Sequence, residues 1–375
     1  MSERPACIHV STSDVGGGAE QVARCLHGAM QRLGWDSTLA VGWKHDEVEG
    51  CVQIPNARYG TVRSRMIRKW RVALGCEIAP YPATMHIPEL GKSEPSILHL
   101  HNLHGHYFDL RALPYLSNKY PTVLTAHDGW LLSGHCAHGV DCDRWLTGCH
   151  TCPHLDYPPA IAHDRTFQNW REKHRLVQES NLHVVAPSQW MAQRFQQAFG
   201  DHLGSIQVIG HGVDRHIFHP RDKRETRQRY RIPEDAYVIG VNYLGTDNPY
   251  KDPWTIRKLI EKQMDRHRDT PVIILCLGDA QIPSLPSSAT VMRTGHLSQD
   301  EVGWALNCCD LLVHAAHAES FGLISAEAQL CGVPVLLNEG GGLSETLSDN
   351  PEKDFDLEVM ARRYLDLYER IRNKK

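Results

Sequence analysis

No run of about 18 apolar residues occurs in the 375-residue chain, so the sequence offers no segment that would cross a membrane as a helix. Neither sign of charge dominates: 40 basic against 44 acidic residues leave a net charge of -4, without the basic excess of a nucleic-acid binder. The opening MSERPACIHV lacks the basic head and long apolar stretch of a secretory signal, so a cytoplasmic protein is expected. The glycines after the first predicted strand do not follow the GxGxxG spacing of dinucleotide folds, which argues against nicotinamide chemistry. Cysteine is not scarce. Twelve cysteines in a cytoplasmic chain point to free thiols or metal ligands rather than a disulfide framework. Eight of them, such as Cys7, Cys276 and Cys309, are scattered beside apolar residues and read as small core hydrophobes.

With 41% hydrophobic and 22% charged residues, the composition is that of a folded protein long enough for two domains. Short apolar runs (CIHV, STLAVG, SILHLH, PTVLTAH, LHVVAPS, SIQVIG) alternate with amphipathic stretches such as AEQVARCLHGAMQRLG, predicting parallel strands covered by helices. The pattern restarts with AYVIGVNYLG, PVIILCLGD, DLLVHAA and VPVLLNE, after a polar junction over 214–235. The expectation is an α/β protein with two doubly wound domains, 1–217 and 218–352. An amphipathic helix in 353–375 closes the chain, and 130–160 forms a cysteine-rich insertion. Such sheets bind ligands at the carboxyl ends of their strands, so a cleft between the two domains is expected.

Gly16, Gly17 and Gly18 follow the first strand and precede a helix, a layout for an anion at a helix N-terminus or simply for a tight turn. In HAESFGLISAEAQL, Glu319 lies in a loop after a strand, Phe321, Gly322 and Leu323 open a helix, and Glu327 falls about one turn in. That helix start suits a diphosphate, and the two carboxylates suit hydroxyl-rich groups on either side. A helix with an acidic first turn explains the same spacing. His127 follows a strand, with Asp128 next to it able to orient its imidazole; a structural His–Asp pair is the alternative. Of the histidines in HLHNLHGH, His101 and His104 are candidates to line an acceptor site, and a four-histidine metal centre is not favoured. Cys136, Cys142, Cys149 and Cys152 read C-x5-C-x6-C-x2-C, whose CHTC end can grip zinc. Four thiolates would leave no open position, so such a zinc would be structural; disulfides and free thiols in a packed loop remain open. A catalytic cysteine is not expected.

ESFGLISAEAQLCGVPVL is similar to the glutamate–seven residues–glutamate motif of family-4-type retaining glycosyltransferases of the GT-B fold, two Rossmann-like domains facing across a cleft. HVSTSDVGGGAEQVA, HLHNLHGHYFDL, TAHDGWLLSGHC, CDRWLTGCHTCP, VVAPSQWMAQ, VIGHGVDRHIFHP and GGGLSET, in that order, resemble glycosyltransferases of bacterial capsule, colanic-acid and exopolysaccharide clusters over about residues 7–348. The resemblance implies that Glu327 holds the ribose of a nucleotide sugar and that Glu319 contacts the transferred sugar. It implies further that the amides of Phe321, Gly322 and Leu323 meet the diphosphate and that Lys251 binds phosphate. His127 would help position the donor sugar. The first domain would take the acceptor and the second the donor, with a UDP-sugar favoured. The family's usual arginine before the lysine is absent from GVNYLGTDNPYK, leaving Asn242 or Thr246 as substitutes, and the segment between GGGLSET and the last helix is short. No DxD-type triad follows a strand and no glycosidase-like carboxylate pair is recognisable, so no required cofactor is expected; retention of configuration is what the resemblance implies. A nucleotide-sugar epimerase and a non-catalytic nucleotide-sugar-binding or scaffold protein are the rivals. Residues 58–75 carry Arg58, Arg63, Arg65, Arg68, Lys69 and Arg71 with an apolar stripe of Val62, Met66, Trp70 and Leu74. Such a helix can rest on anionic lipid, where a polyprenyl-diphosphate-linked acceptor resides, or be a plain solvated face.

Overall fold

The computed structural model describes residues 4–242, 248–278, 282, 285 and 289–373. The chain forms two compact units, Met1–Gly210 together with Met360–Lys375, and His211–Val359.

The first unit is built on β1 (Ala6–Ser13), β2 (Asp36–Trp43), β3 (Cys51–Gln53), β4 (Ile97–Leu100), β5 (Thr122–Thr125), β6 (Leu182–Ala186) and β7 (Ser205–Val208). All pair in parallel, in the order β3-β2-β1-β4-β5-β6-β7. Every residue of β4 and β5 is buried, as expected of central strands covered on both faces. The covering helices follow from their spacing. Gly18–Arg32 buries Val22, Leu26, Ala29 and Met30 on one stripe. Gln189–Phe199 is capped by the Ser188 side chain, buries Met191, Phe195 and Phe199, and stops at Gly200. The strand order reverses between β1 and β4, which makes that edge the place for a ligand.

The second unit carries β8 (Tyr237–Val241), β9 (Val272–Cys276), β10 (Thr290–Arg293), β11 (Leu311–His314) and β12 (Val335–Leu337), parallel in the order β10-β9-β8-β11-β12. Its order reverses between β8 and β11.

Three expectations shift. The unit boundary falls after Gly210 rather than residue 217, because Val213 is buried and its N–H bonds the Phe355 carbonyl at 2.8 Å. The junction over 214–235 lacks a strand, but it holds the helix Lys223–Arg229 and belongs to the second unit. The short strands β3 and β10, at the sheet edges, had no apolar run to announce them. After Thr346 only the four-residue helix Pro351–Asp354 precedes the last helix, Leu357–Arg372. From Met360 onward that helix belongs to the first unit: its Tyr364 and Tyr368 hydroxyls meet Thr125 Oγ1 at 2.8 Å and His99 Nδ1 at 2.5 Å.

Candidate active site

The reversal point of the second sheet gathers Lys251, His314 and Glu319. Lys251 follows β8 and forms an isolated bridge with Ala316, just beyond β11. Its ammonium donates to Glu319 Oε2 at 2.7 Å and to His314 Nε2 at 3.1 Å. A lysine only donates, so His314 Nε2 must accept, which leaves the proton on Nδ1 to donate to Ser325 Oγ at 3.1 Å. Burial, then the Lys251 charge, push His314 down to about 3, with Glu319 opposing; the ring is neutral at pH 7. The result is a fixed lysine–carboxylate pair on a neutral imidazole.

Gly322 directly follows. Its φ is +86°, and a Cβ there would sit 2.5 Å from Leu343 Cδ1, so both backbone and packing demand glycine. This left-handed residue caps the helix Leu323–Leu330, whose first amides have no partner within the helix. Glu327 lies on the same helix, 4% exposed. Phe321 is turned into the core against His211 and Phe355, so only its backbone is left for a ligand.

In the first unit, the carboxyl ends of β1, β4 and β5 bring histidines together. His9 Nδ1 meets His101 Nε2 at 3.3 Å, and His101 Nδ1 meets His127 Nε2 at 2.9 Å. Asp128 lies beside His127, and its charge acts on that ring. Its carboxylate accepts from His104 Nε2 at 2.9 Å and from the Trp130 amide at 2.9 Å, because the chain turns immediately after β5. Burial pushes His127 down to about 4 despite the nearby Asp128 charge, so this ring too is neutral at pH 7. Burial works against the charged forms of His104 and Asp128, but their mutual attraction outweighs it. His104 is raised and Asp128 is lowered to about 2.

The sequence pattern of the family described as Glycosyltransferase Family 4 matches residues 16–217, and that of Glycosyl transferases group 1 matches 222–353. The chain belongs to glycosyltransferase family 4. A protein of Escherichia coli (strain K12) named as a colanic acid biosynthesis glycosyl transferase, WcaC, is 26% identical over 280 residues. The alignment covers 69% of this chain and 64% of that protein's length. Anabaena Alr3699/HepE, solved with UDP and glucose, superposes with a TM-score of 0.66 at 16% identity, covering 98% of this chain and all of that one. The catalytic domain of Arabidopsis thaliana starch synthase IV, bound to ADP and acarbose, gives 0.63 at 14%, covering 99% of this chain and 100% of that one. The fold is GT-B, two Rossmann-like units.

In this family-4 chain, the glycine turn 16–18 is exposed and leads into the first helix. Glu20 folds back over it: a Cβ on Gly16 would lie 3.1 Å from the Glu20 carboxylate. Burial raises the Glu20 carboxyl, while hydrogen bonds from the backbone of Glu20 and Gly17 lower it. The turn's amides are thus partly served from within the chain. Asn242 is half-buried just after β8, and Thr246 lies outside the described residues. The basic stretch forms the helix Val62–Ala73, with Val62, Met66 and Trp70 each about two-thirds exposed (66%, 66% and 65%). Sequence reasoning missed His314 and Glu20. His314 did leave a signal, a lone polar residue ending the apolar strand DLLVH; Glu20 looked like an ordinary first-turn acid.

Proposed function

We propose that this chain is a retaining glycosyltransferase that moves a sugar from a nucleotide diphosphate sugar, a UDP-sugar first, to a hydroxyl of a glycan or polyprenyl-diphosphate-linked glycan. The observation that carries the proposal is the Lys251–Glu319–His314 cluster set directly before the glycine-capped start of helix Leu323–Leu330. A cation and free helix amides together make a diphosphate site. Lys251, drawn from Glu319 by the donor, would neutralise the charge that develops on the leaving nucleoside diphosphate, the role otherwise given to a metal ion. Glu319, released, would accept from sugar hydroxyls, and Glu327 from the ribose. The bond from the anomeric carbon to the diphosphate breaks and the acceptor oxygen bonds on the same face. The acceptor proton passes to the departing phosphate oxygen. The neutral His127 of the first unit would serve as a hydrogen-bonding group toward the sugar, not as an acid.

Two features of the first unit support a lipid-linked acceptor. The helix Val62–Ala73 turns Val62, Met66 and Trp70 outward and has no acid in its first turn. Beside it lies a groove of about 850 Å³ whose lining includes Arg58, Arg65, Arg68, Lys69 and Tyr81, suited to a diphosphate. Polysaccharide biosynthesis is the setting of the E. coli relative's printed name.

The test is binding and slow hydrolysis of UDP-, GDP-, ADP- and dTDP-sugars, comparing the native chain with Lys251→Ala and Glu327→Ala. One donor should be bound and cleaved, with release of the sugar in its original anomeric form by NMR, and both substitutions should abolish this. Binding of no donor, or indifference to both substitutions, would move the non-catalytic reading forward. An inverted product would refute retention alone.

A further inference from the structure

The loop after β5 is the largest stretch of the first unit without strands, held together by one short turn at Arg144–Leu146 and a network of side-chain contacts. Its four cysteines are all free thiols, and all four line one small pocket of about 30 Å³, together with His135, Trp145 and Arg194. Two buried N–H groups on this lining, Arg194 Nε and Trp145 Nε1, have no hydrogen-bond partner. Such groups are costly unless something accepts from them, and a thiolate sulfur is an acceptor.

We propose that Cys136, Cys142, Cys149 and Cys152 hold one zinc ion that fixes the fold of residues 130–160. The CHTC turn is sharply bent. Gly148, Cys149 and Thr151 all have positive φ (123°, 51° and 48°), which neither cysteine nor a β-branched threonine adopts readily. The Gly134 amide donates to Cys149 Sγ at 3.2 Å, the kind of N–H···S bond that steadies a thiolate. Charge also fits. Zinc with four thiolates is a dianion; Arg194 lines the pocket, and the Lys173 charge reaches Cys136 and Cys149. Arg194 is sandwiched between Trp145 and Trp190, its guanidinium 4.3 and 4.7 Å from the ring centres. Lys173 is fully buried, its ammonium on the carbonyls of Trp130 and Ser133 and 3.9 Å from Glu77.

Among the described residues, no three of these sulfurs lie within 4.8 Å of one another, so on this proposal zinc draws the loop inward until each sulfur is about 2.3 Å from the ion. Among the described residues, the set whose donors all lie within 4.8 Å of one another is His9, His99 and His101. That set is already spoken for: His99 bonds Tyr368 through Nδ1 and Thr125 through Nε2. On uptake of zinc, four sulfur–zinc bonds form and four S–H protons leave to solvent. His135 is a neighbour and not a ligand here. Its Nδ1 donates to the Pro159 carbonyl at 2.9 Å, and its Nε2 lies 3.5 Å from Cys152 Sγ.

The test uses the full chain purified under reducing conditions. Elemental analysis should find about one zinc per chain. Exchange for cobalt should give a thiolate-to-metal charge-transfer band and the intense visible bands of a tetrahedral site. Cys149→Ser and Cys152→Ser should each lose the metal, while His135→Ala and Cys25→Ser keep it. Should the serine variants not fold, a thiol-blocking mercurial added to the native chain should release the zinc to a colorimetric chelator. The segment 130–160 should then become cleavable by protease. A native chain that carries no zinc and gives no cobalt–thiolate spectrum would overturn the proposal. So would an intact mass short by four hydrogens, the mark of two disulfides. Loss of metal in His135→Ala would overturn the four-thiolate set. None of these readouts depends on donor binding, so the result stands apart from the transferase reading.

Discussion

Lys251 is held by two partners of different kinds, and the weaker link is the one behind the lysine. Glu319 attracts it by charge; His314 accepts from it only while the Nδ1 proton is parked on Ser325 Oγ. Ser325 is fully buried, so Ser325→Ala leaves the imidazole N–H without a partner away from water. That should cost about 1–3 kcal/mol in the second unit, read from the urea midpoint. It should also weaken donor binding, because a ring free to change tautomer no longer offers Lys251 an acceptor. Ser325→Thr, which restores a hydroxyl, should recover part of the donor affinity. Unchanged donor affinity in Ser325→Ala would show that Glu319 alone positions the lysine. This residue-level chain was not legible beforehand. Glu319 stood out as a charged residue in a loop after an apolar strand, and Lys251 through the family resemblance. Ser325, inside a helix, gives no sign in sequence of whether its hydroxyl turns to solvent or to a buried ring.

At the scale of elements, the central strands could be read directly, since a buried parallel strand is rich in apolar residues; β8 and β9 are apolar nearly throughout, and β1, β4, β5 and β11 each hold a short apolar stretch among a few Ser, Thr or His. The edge strands β3 and β10 could not, because edges take polar residues. The same limit hid the pairing of Val213 with the distant Phe355, since nothing local announces a partner so far along the chain. Adjacency brought Asp128 to mind for His127, but nothing local announced that its carboxylate also accepts from His104. The basic helix was legible in composition but not in orientation. Arg71 is tied to the Ile78 carbonyl and to Glu172, and Arg68 stacks over Tyr81, so the apolar stripe is the side left outside. Met66→Glu with Trp70→Glu should therefore leave stability within about 0.5 kcal/mol of the native chain. Co-sedimentation with vesicles rich in anionic lipid should fall at least about tenfold. Binding of the native chain should weaken with salt. If the native chain ignores anionic vesicles at low salt, the stripe serves some other partner.

At the scale of the whole molecule, the two units differ in how much neutral histidine they bury. In the first unit, burial lowers His9 and His99 well below the usual histidine range, with neighbouring histidines adding to it, and lowers His27 despite Glu49; His127 and His174 come down to about 4. In the second unit, His314 at about 3 is the comparable group among the described residues. A buried base of this kind stabilises the fold fully above its unfolded value of 6.5, and that contribution drains away as pH falls toward the folded value. For His127, the gap from 6.5 to about 4 is worth roughly 3 kcal/mol at 1.36 kcal/mol per pH unit. The His104–Asp128 pair acts the other way. Its raised histidine stabilises below about pH 6.5 and its lowered carboxylate stabilises down to about pH 2, but it is one pair against six rings, since burial lowers His135 as well. The first unit should therefore lose stability between pH 6.5 and 4 while the second largely holds. Fluorescence can separate them: of the nine tryptophans only Trp254 and Trp304 lie in the second unit. On acidification, the tryptophan transition should come at higher pH than the loss of far-ultraviolet circular dichroism, which both units share. Coincident transitions, or a urea midpoint unchanged from pH 7 to 5, would mean that the buried rings find protons from within their own network. The His9–His101–His127 chain would then be the place to look for where a charge is tolerated.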